Sequence, residues 1–304
     1  MARADAFSAY DAELATASTG SPWTRLLRRE PRFEPDYGLL TRLLSKPVAA
    51  GEVTESGRFA RGIDAWLASE LRRAGFGVDE VWPRATRPRV LPRDVGTLLD
   101  KLPLALAAEV RHRLENMPAV GPADARILGR AYDKQVDVCI ARWDRGPELM
   151  ISTKAQVSSF GKNLPNRFEE AYGDAANLRS RYPLAAVGFF FVQRSTVLDR
   201  EPDAFERAVD MMRKLRDTGG SGGYTATGFA LVEWDEPAGP TTAVRLRGRE
   251  VPEDIAAPQF FRALISHVLE VTPVVHHVEV RRRFEGRDIP VDEDDEIREG
   301  SSTA

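Results

Sequence analysis

Cysteine is nearly absent from this chain: Cys139 is the only one among 304 residues. One thiol excludes an internal disulfide and a four-cysteine zinc site. Histidine is also scarce. His112, His267 and the pair His276 and His277 show no HExxH spacing, which argues against a zinc-hydrolase motif. No apolar run approaches the roughly 18 residues of a membrane span, so no membrane partner is expected. The opening segment MARADAFSAYDAELATAS lacks the apolar centre of a secretory signal, so a cytoplasmic location is expected. A Gly-x-x-x-x-Gly-Lys-Ser/Thr phosphate loop is missing as well. Charge of one sign is not in excess, since the formal net charge is −3. Residues 281–304 alone carry five basic and eight acidic side chains, so the remainder is neutral. A neutral body still attracts a polyanion if its cations share one face.

Hydrophobic residues make up 42% of the chain, enough for a sizeable core. Three regions are expected: a helical N-terminal arm over 1–50, a main domain over 51–280, and a solvated acidic tail over 281–304. The first strong amphipathic helix falls at 56–74, where Phe59, Ile63, Trp66, Leu67 and Leu71 recur at 3–4 spacing before Gly75. A strand is expected at 76–82, an exposed basic loop at 83–93, and helical pieces over 94–131. Strands at 135–142 and 148–157 flank a turn-rich connection at 143–147. Helices at 166–181, 203–217 and 259–270 alternate with strands at 185–193, 224–234, 243–246 and 274–280. The run AAVGFFFVQ at 185–193 is too apolar for an edge and reads as a central strand. This order implies an α/β fold, a mixed β-sheet flanked by α-helices.

Asp137 lies between Val136 and Val138, in the middle of an apolar strand. A carboxylate there needs a hydrogen-bond set, a cation or a metal. On the next strand Ser152, Lys154 and Gln156 share one face by alternation. Fourteen residues separate Asp137 from Ser152, enough for a turn and a return. An acid on one strand and an acid-x-Lys on its hairpin partner resembles the PD-(D/E)XK nuclease superfamily. The Ser152-Thr153-Lys154 form, followed by Asn166-Arg167-Phe168-Glu169, resembles its CCGG-reading branch of type II restriction endonucleases. In that branch a serine takes the acid position and a glutamate from the following helix replaces it in space.

The resemblance implies a restriction-endonuclease-like fold and Mg²⁺-dependent hydrolysis of double-stranded DNA at a short specific site. It also implies a homodimer and a cognate DNA methyltransferase as partner. Asp137 and Glu169 are the expected Mg²⁺ ligands and Lys154 the water-orienting group, with Ser152 in the acid position. Oxygen ligands of this kind suit Mg²⁺, which activates water and stabilises the leaving oxygen. Glu170 and Glu148 are alternative second acids. Glu55 is the candidate extra acid on the first helix, with Asp64 as its competitor. Lys162, Asn163 and Arg167 are the base-reading candidates, in a segment where the branch's Arg-acid-Arg triplet is absent. Arg87 and Arg89 are phosphate-contact candidates in the basic loop.

Plainer readings stand beside these. Asp137 and Lys154 form a structural ion pair, Glu169 is a solvated helix residue, and the basic loop is merely solvated. Ser159-Phe160-Gly161-Lys162 matches the Ser-x-x-Lys of penicillin-recognising enzymes, but the Lys-Thr-Gly partner is missing. The alternative functions are a repair or modification-dependent nuclease of the same fold, and a non-catalytic DNA-binding protein.

Overall fold

A computed structural model describes residues 5–25, 30–53, 57–117, 120–122, 124–216 and 222–290. Its strands in chain order are β1 (Trp23–Thr24), β2 (Arg32–Phe33), β3 (Val81–Trp82), β4 (Ala125–Leu128), β5 (Asp133–Val136), β6 (Val138–Arg142), β7 (Gly146–Gln156), β8 (Ala186–Arg194), β9 (Ala226–Glu233) and β10 (Arg245–Leu246). The helices are α1 (Asp11–Leu14), α2 (Tyr37–Ala49), α3 (Arg58–Arg73), α4 (Arg93–Lys101), α5 (Leu104–Glu115), α6 (Leu164–Arg179), α7 (Val197–Arg200), α8 (Pro202–Arg216), α9 (Ala257–Val271) and α10 (Val278–Glu285).

Six strands form the main sheet in the order β10-β9-β8-β7-β6-β3. Its centre, β7-β8-β9, is parallel, and its flanks are antiparallel. Alternation along β8 explains the unbroken apolar run. Phe190 and Val192 enter the core under α2, α3 and α9, while Phe189 and Phe191 enter the core under α6 and α8. A strand covered on both faces has no polar side to show. Burying each such phenylalanine contributes on the order of 1.5–3 kcal/mol. The expected α/β class, a mixed sheet flanked by helices, is therefore the observed one.

Four local expectations change. The described part of the first 50 residues carries the β1-β2 ribbon as well as helices, and its apolar side chains join the main core. Phe33, Leu39, Leu40, Leu43 and Leu44 are buried in one cluster with Trp66 of α3 and Phe261 of α9. The expected strand at 76–82 shrinks to Val81–Trp82, because Gly77 and Glu80 form a turn closed by Glu80 N–H to Gly77 O. Between 94 and 131, α4 and α5 are followed by the separate β4-β5 hairpin. The expected last strand at 274–280 gives way to α10, where Val280 and Phe284, four apart, turn the same side toward the core. Residues 281–285 thus belong to a helix rather than to the tail, and residues 291–304 lie outside the described set.

Candidate active site

The site forms where two paired strands separate. β6 pairs with β7 up to Val138 opposite Ile151, and β7 then continues through Gln156 with β8 on its other side. Asp137 stands at the break between β5 and β6. Its own N–H still donates to Ile151 O at 3.1 Å, and its Oδ2 accepts the N–H of Thr153 at 2.8 Å. A side-chain carboxylate thus takes the ladder position that a backbone carbonyl would have filled. On the α3 side, the Thr153 hydroxyl donates to Asp64 Oδ1 at 2.7 Å. Arg61 completes this side, with one nitrogen 3.6 Å from Asp64 Oδ2 and another 2.7 Å from Asp124 Oδ1.

Lys154, next along β7, points to the α6 side. Its Nζ donates to Glu170 Oε1 at 2.9 Å. Lys134 of β5 approaches the same oxygen at 3.7 Å and is ion-paired to buried Asp174. Tyr132 donates its hydroxyl to Asp174 Oδ1 at 3.1 Å. Two lysines and two acids on this side thus stand against Asp64, Asp124 and Arg61 on the other, and Asp137 feels the charges of Arg61, Lys154 and Lys134 alike.

The electrostatics follow from that packing. Burial pushes the Asp64 carboxyl well above the usual range, the Asp137 charge pushes it further, and the Thr153 hydroxyl and Arg61 offset only part. Burial also raises Asp137, against the Thr153 N–H and the charges of Arg61, Lys154 and Lys134. Glu170 shifts the other way: its burial penalty is outweighed by the Lys154 hydrogen bond and the charges of Lys154 and Lys134. Two neighbouring carboxyls that resist ionisation together mark a place where a cation would be welcome. Among the described residues no group of three or more His, Cys, Asp or Glu side chains is arranged to hold a metal ion. Mg²⁺ does not require one, since it commonly uses one or two carboxylates and completes its shell with water and substrate phosphate. Asp64 and Asp137 fit that donor set.

Several sequence expectations fall elsewhere. Glu169 is exposed, and Glu170 is the residue that reaches Lys154. The buried face of α6 is set by Leu164, Phe168, Ala171, Asp174, Ala175, Asn177 and Leu178. At about 100° per residue, position 170 flanks that face and position 169 opposes it. Ser152 is buried opposite Phe189 of the neighbouring strand. Glu55 lies outside the described residues, and buried Asp64 is the first-helix acid at the site. Glu148 sits at the far end of β7, where it accepts from His277 at 3.1 Å. Lys162 and Asn163 are exposed at the start of α6, and Arg167 is half-buried with its charge acting on Glu170.

The basic loop is not a free cationic surface. Arg84 and Arg89 are each 5% exposed. Arg89 donates to Asp5, to both oxygens of Asp11, and to the carbonyls of Arg84 and Ala85, so it ties the N-terminal segment to the loop. Arg87 is exposed but ion-paired with Asp5 at 2.9 Å. For Arg89 the phosphate-contact expectation fails, because its donors are already satisfied by the protein.

Sequence reading missed Lys134, Asp174 and Arg61. One signal for Lys134 was present: Glu170 and Asp174 are four apart on α6, a like-charge pair that calls for a cation between them. Compared with protein-family models, curated proteins and solved structures, the chain matches none.

Proposed function

We propose that the protein is a Mg²⁺-dependent deoxyribonuclease of the site-specific, type II restriction kind, acting on double-stranded DNA as a cytoplasmic homodimer. The observation that carries the reading is the convergence of Asp64 and Asp137 on Thr153, with Lys154 on the next residue of the same strand. A twofold dimer would present one such site to each strand of a palindrome.

Bound Mg²⁺ would polarise the phosphate and lower the pKa of a coordinated water. Buried Asp64 and half-buried Asp137 would hold it. The Thr153 N–H and hydroxyl fix one oxygen of each carboxylate, so both are oriented before substrate arrives. Lys154, which Glu170 holds while the site is free of DNA, would supply a positive charge beside the attacked phosphate and orient the nucleophile.

Purified protein incubated with unmethylated phage DNA should give discrete fragments with Mg²⁺ and none with EDTA. Asp137→Asn and Lys154→Ala should each lose cleavage by at least about a hundredfold, while gel-shift binding persists. Wild-type rates in either variant would remove the active-site assignment. Cutting only on methylated DNA would favour the modification-dependent alternative, and binding indifferent to Mg²⁺ without any cutting would favour the non-catalytic one.

A further inference from the structure

Glu170 is placed unlike the other acids of the site. Its side chain is 49% exposed, whereas those of Lys154 and Lys134 are 24% and 16% exposed. A single oxygen, Oε1, serves both ammonium groups. Asp174, 5% exposed, fixes Lys134 from the protein side, and Tyr132 in turn fixes Asp174. Lys134, held from within by Asp174, and Lys154 of β7 thus converge on one oxygen of an exposed carboxylate. Moving Glu170 aside would leave their charge only partly neutralised by Asp174 and Asp137. A phosphodiester oxygen has the charge and the acceptor chemistry to fill that place.

Resting on the phosphodiester reading above, we propose that Lys134 is a second substrate-binding lysine, and that Glu170 is an internal anion which the DNA phosphate displaces. This assigns Glu170 a competing role rather than a metal-ligating one. It makes Glu170 of α6 the counter-ion of the DNA-free site, offsetting the repulsion between two neighbouring ammonium groups until DNA arrives. Lys134 belongs to the β4-β5 hairpin, which diverges from the main sheet beside Asp137, so its cation joins the site from an element separate from Lys154's strand.

The test is equilibrium binding of a short DNA duplex in EDTA across a series of salt concentrations, so that no metal contributes. Glu170→Gln should bind more tightly than wild type. Lys134→Met should bind more weakly and lower the slope of log K against log salt by about 0.9, the value for one lost phosphate contact. Lys134→Arg should restore the slope. Unchanged or weaker binding by Glu170→Gln, or a wild-type slope in Lys134→Met, overturns the inference while leaving the nuclease reading in place. If Lys134→Met fails to fold, the exposed Glu170→Gln decides alone. A wild-type protein that neither binds nor cuts DNA would instead remove the nuclease reading, and this inference with it.

Discussion

Thr153 has two hydrogen-bond donors, and each goes to a different aspartate. The arrangement orients Asp64 and Asp137 but leaves the buried Asp64 carboxyl close to the charge of a half-buried one. Asp64 has its pKa raised by burial and by the Asp137 charge. A carboxyl with a raised folded-state pKa binds more protons in the folded than in the unfolded state. Stability from that group is therefore greatest below the unfolded value of about 4 and is lost as pH rises through the folded value. Asp64→Asn keeps an acceptor for Thr153 and removes the charge. Its melting temperature without metal should exceed that of wild type at neutral pH, and the difference should shrink as pH falls toward about 4. Thermal melts across pH check this; a variant less stable than wild type at neutral pH would mean that the aspartate charge is already compensated by Arg61. Added Mg²⁺ should raise the melting temperature of wild type and not of the variant, because ligand bound only to the folded state stabilises it.

At the level of elements, the strongest apolar patterns were legible and the junctions were not. Alternation and 3–4 spacing locate α3, β7, β8, α8, β9 and α9 within a few residues, because burial on a sheet or helix face leaves a period in the sequence. Asp137 was legible for the same reason, as a carboxylate out of place in an apolar strand. The choice of Glu170 over Glu169, and of Asp64 as the first-helix acid, depends on which side of a helix meets the sheet. Arg89 was misread because its partners, Asp5 and Asp11, are far away in sequence. The C-terminal element shows the limit most clearly. Val278 and Val280 alternate like a strand, yet Val280 packs with Phe284 as a helix, and Arg281 donates to the carbonyls of Leu269 and Thr272 at the end of α9.

That docking requires Gly75. It follows α3 with φ +113°, a conformation that side chains rarely adopt. A Cβ there would stand 3.0 Å from Val280 N and 3.1 Å from Glu279 C. Gly75→Ala should therefore cost about 1–3 kcal/mol, seen as a lower urea midpoint at unchanged slope. A wild-type midpoint would mean that α10 can shift away without loss.

For the whole molecule, the first 50 residues decide whether the remainder is a domain. Phe33 stacks on Phe261 with ring centroids 4.6 Å apart, and the Trp66 indole donates to Asp36 O at 2.9 Å. Tyr10 reaches Arg58 O at 2.6 Å, and Ser45 accepts the N–H of Val244 at 2.9 Å. Leu39, Leu40, Leu43 and Leu44 have no exposed surface. Removing residues 1–50 would strip these side chains from α3 and α9 and open the aromatic core to water. Each large apolar side chain of α3 and α9 left uncovered costs roughly 1.5–3 kcal/mol, so a few of them are a large share of a typical net stability of about 5–15 kcal/mol. A chain beginning at residue 51 should show no cooperative melt by circular dichroism and should aggregate on expression, although it keeps Asp64, Asp137 and Lys154. A sharp melt from that truncated chain, with DNA cleavage retained, would instead make 1–50 a dispensable arm. The candidate site would then be supported by the sheet and its remaining helices alone.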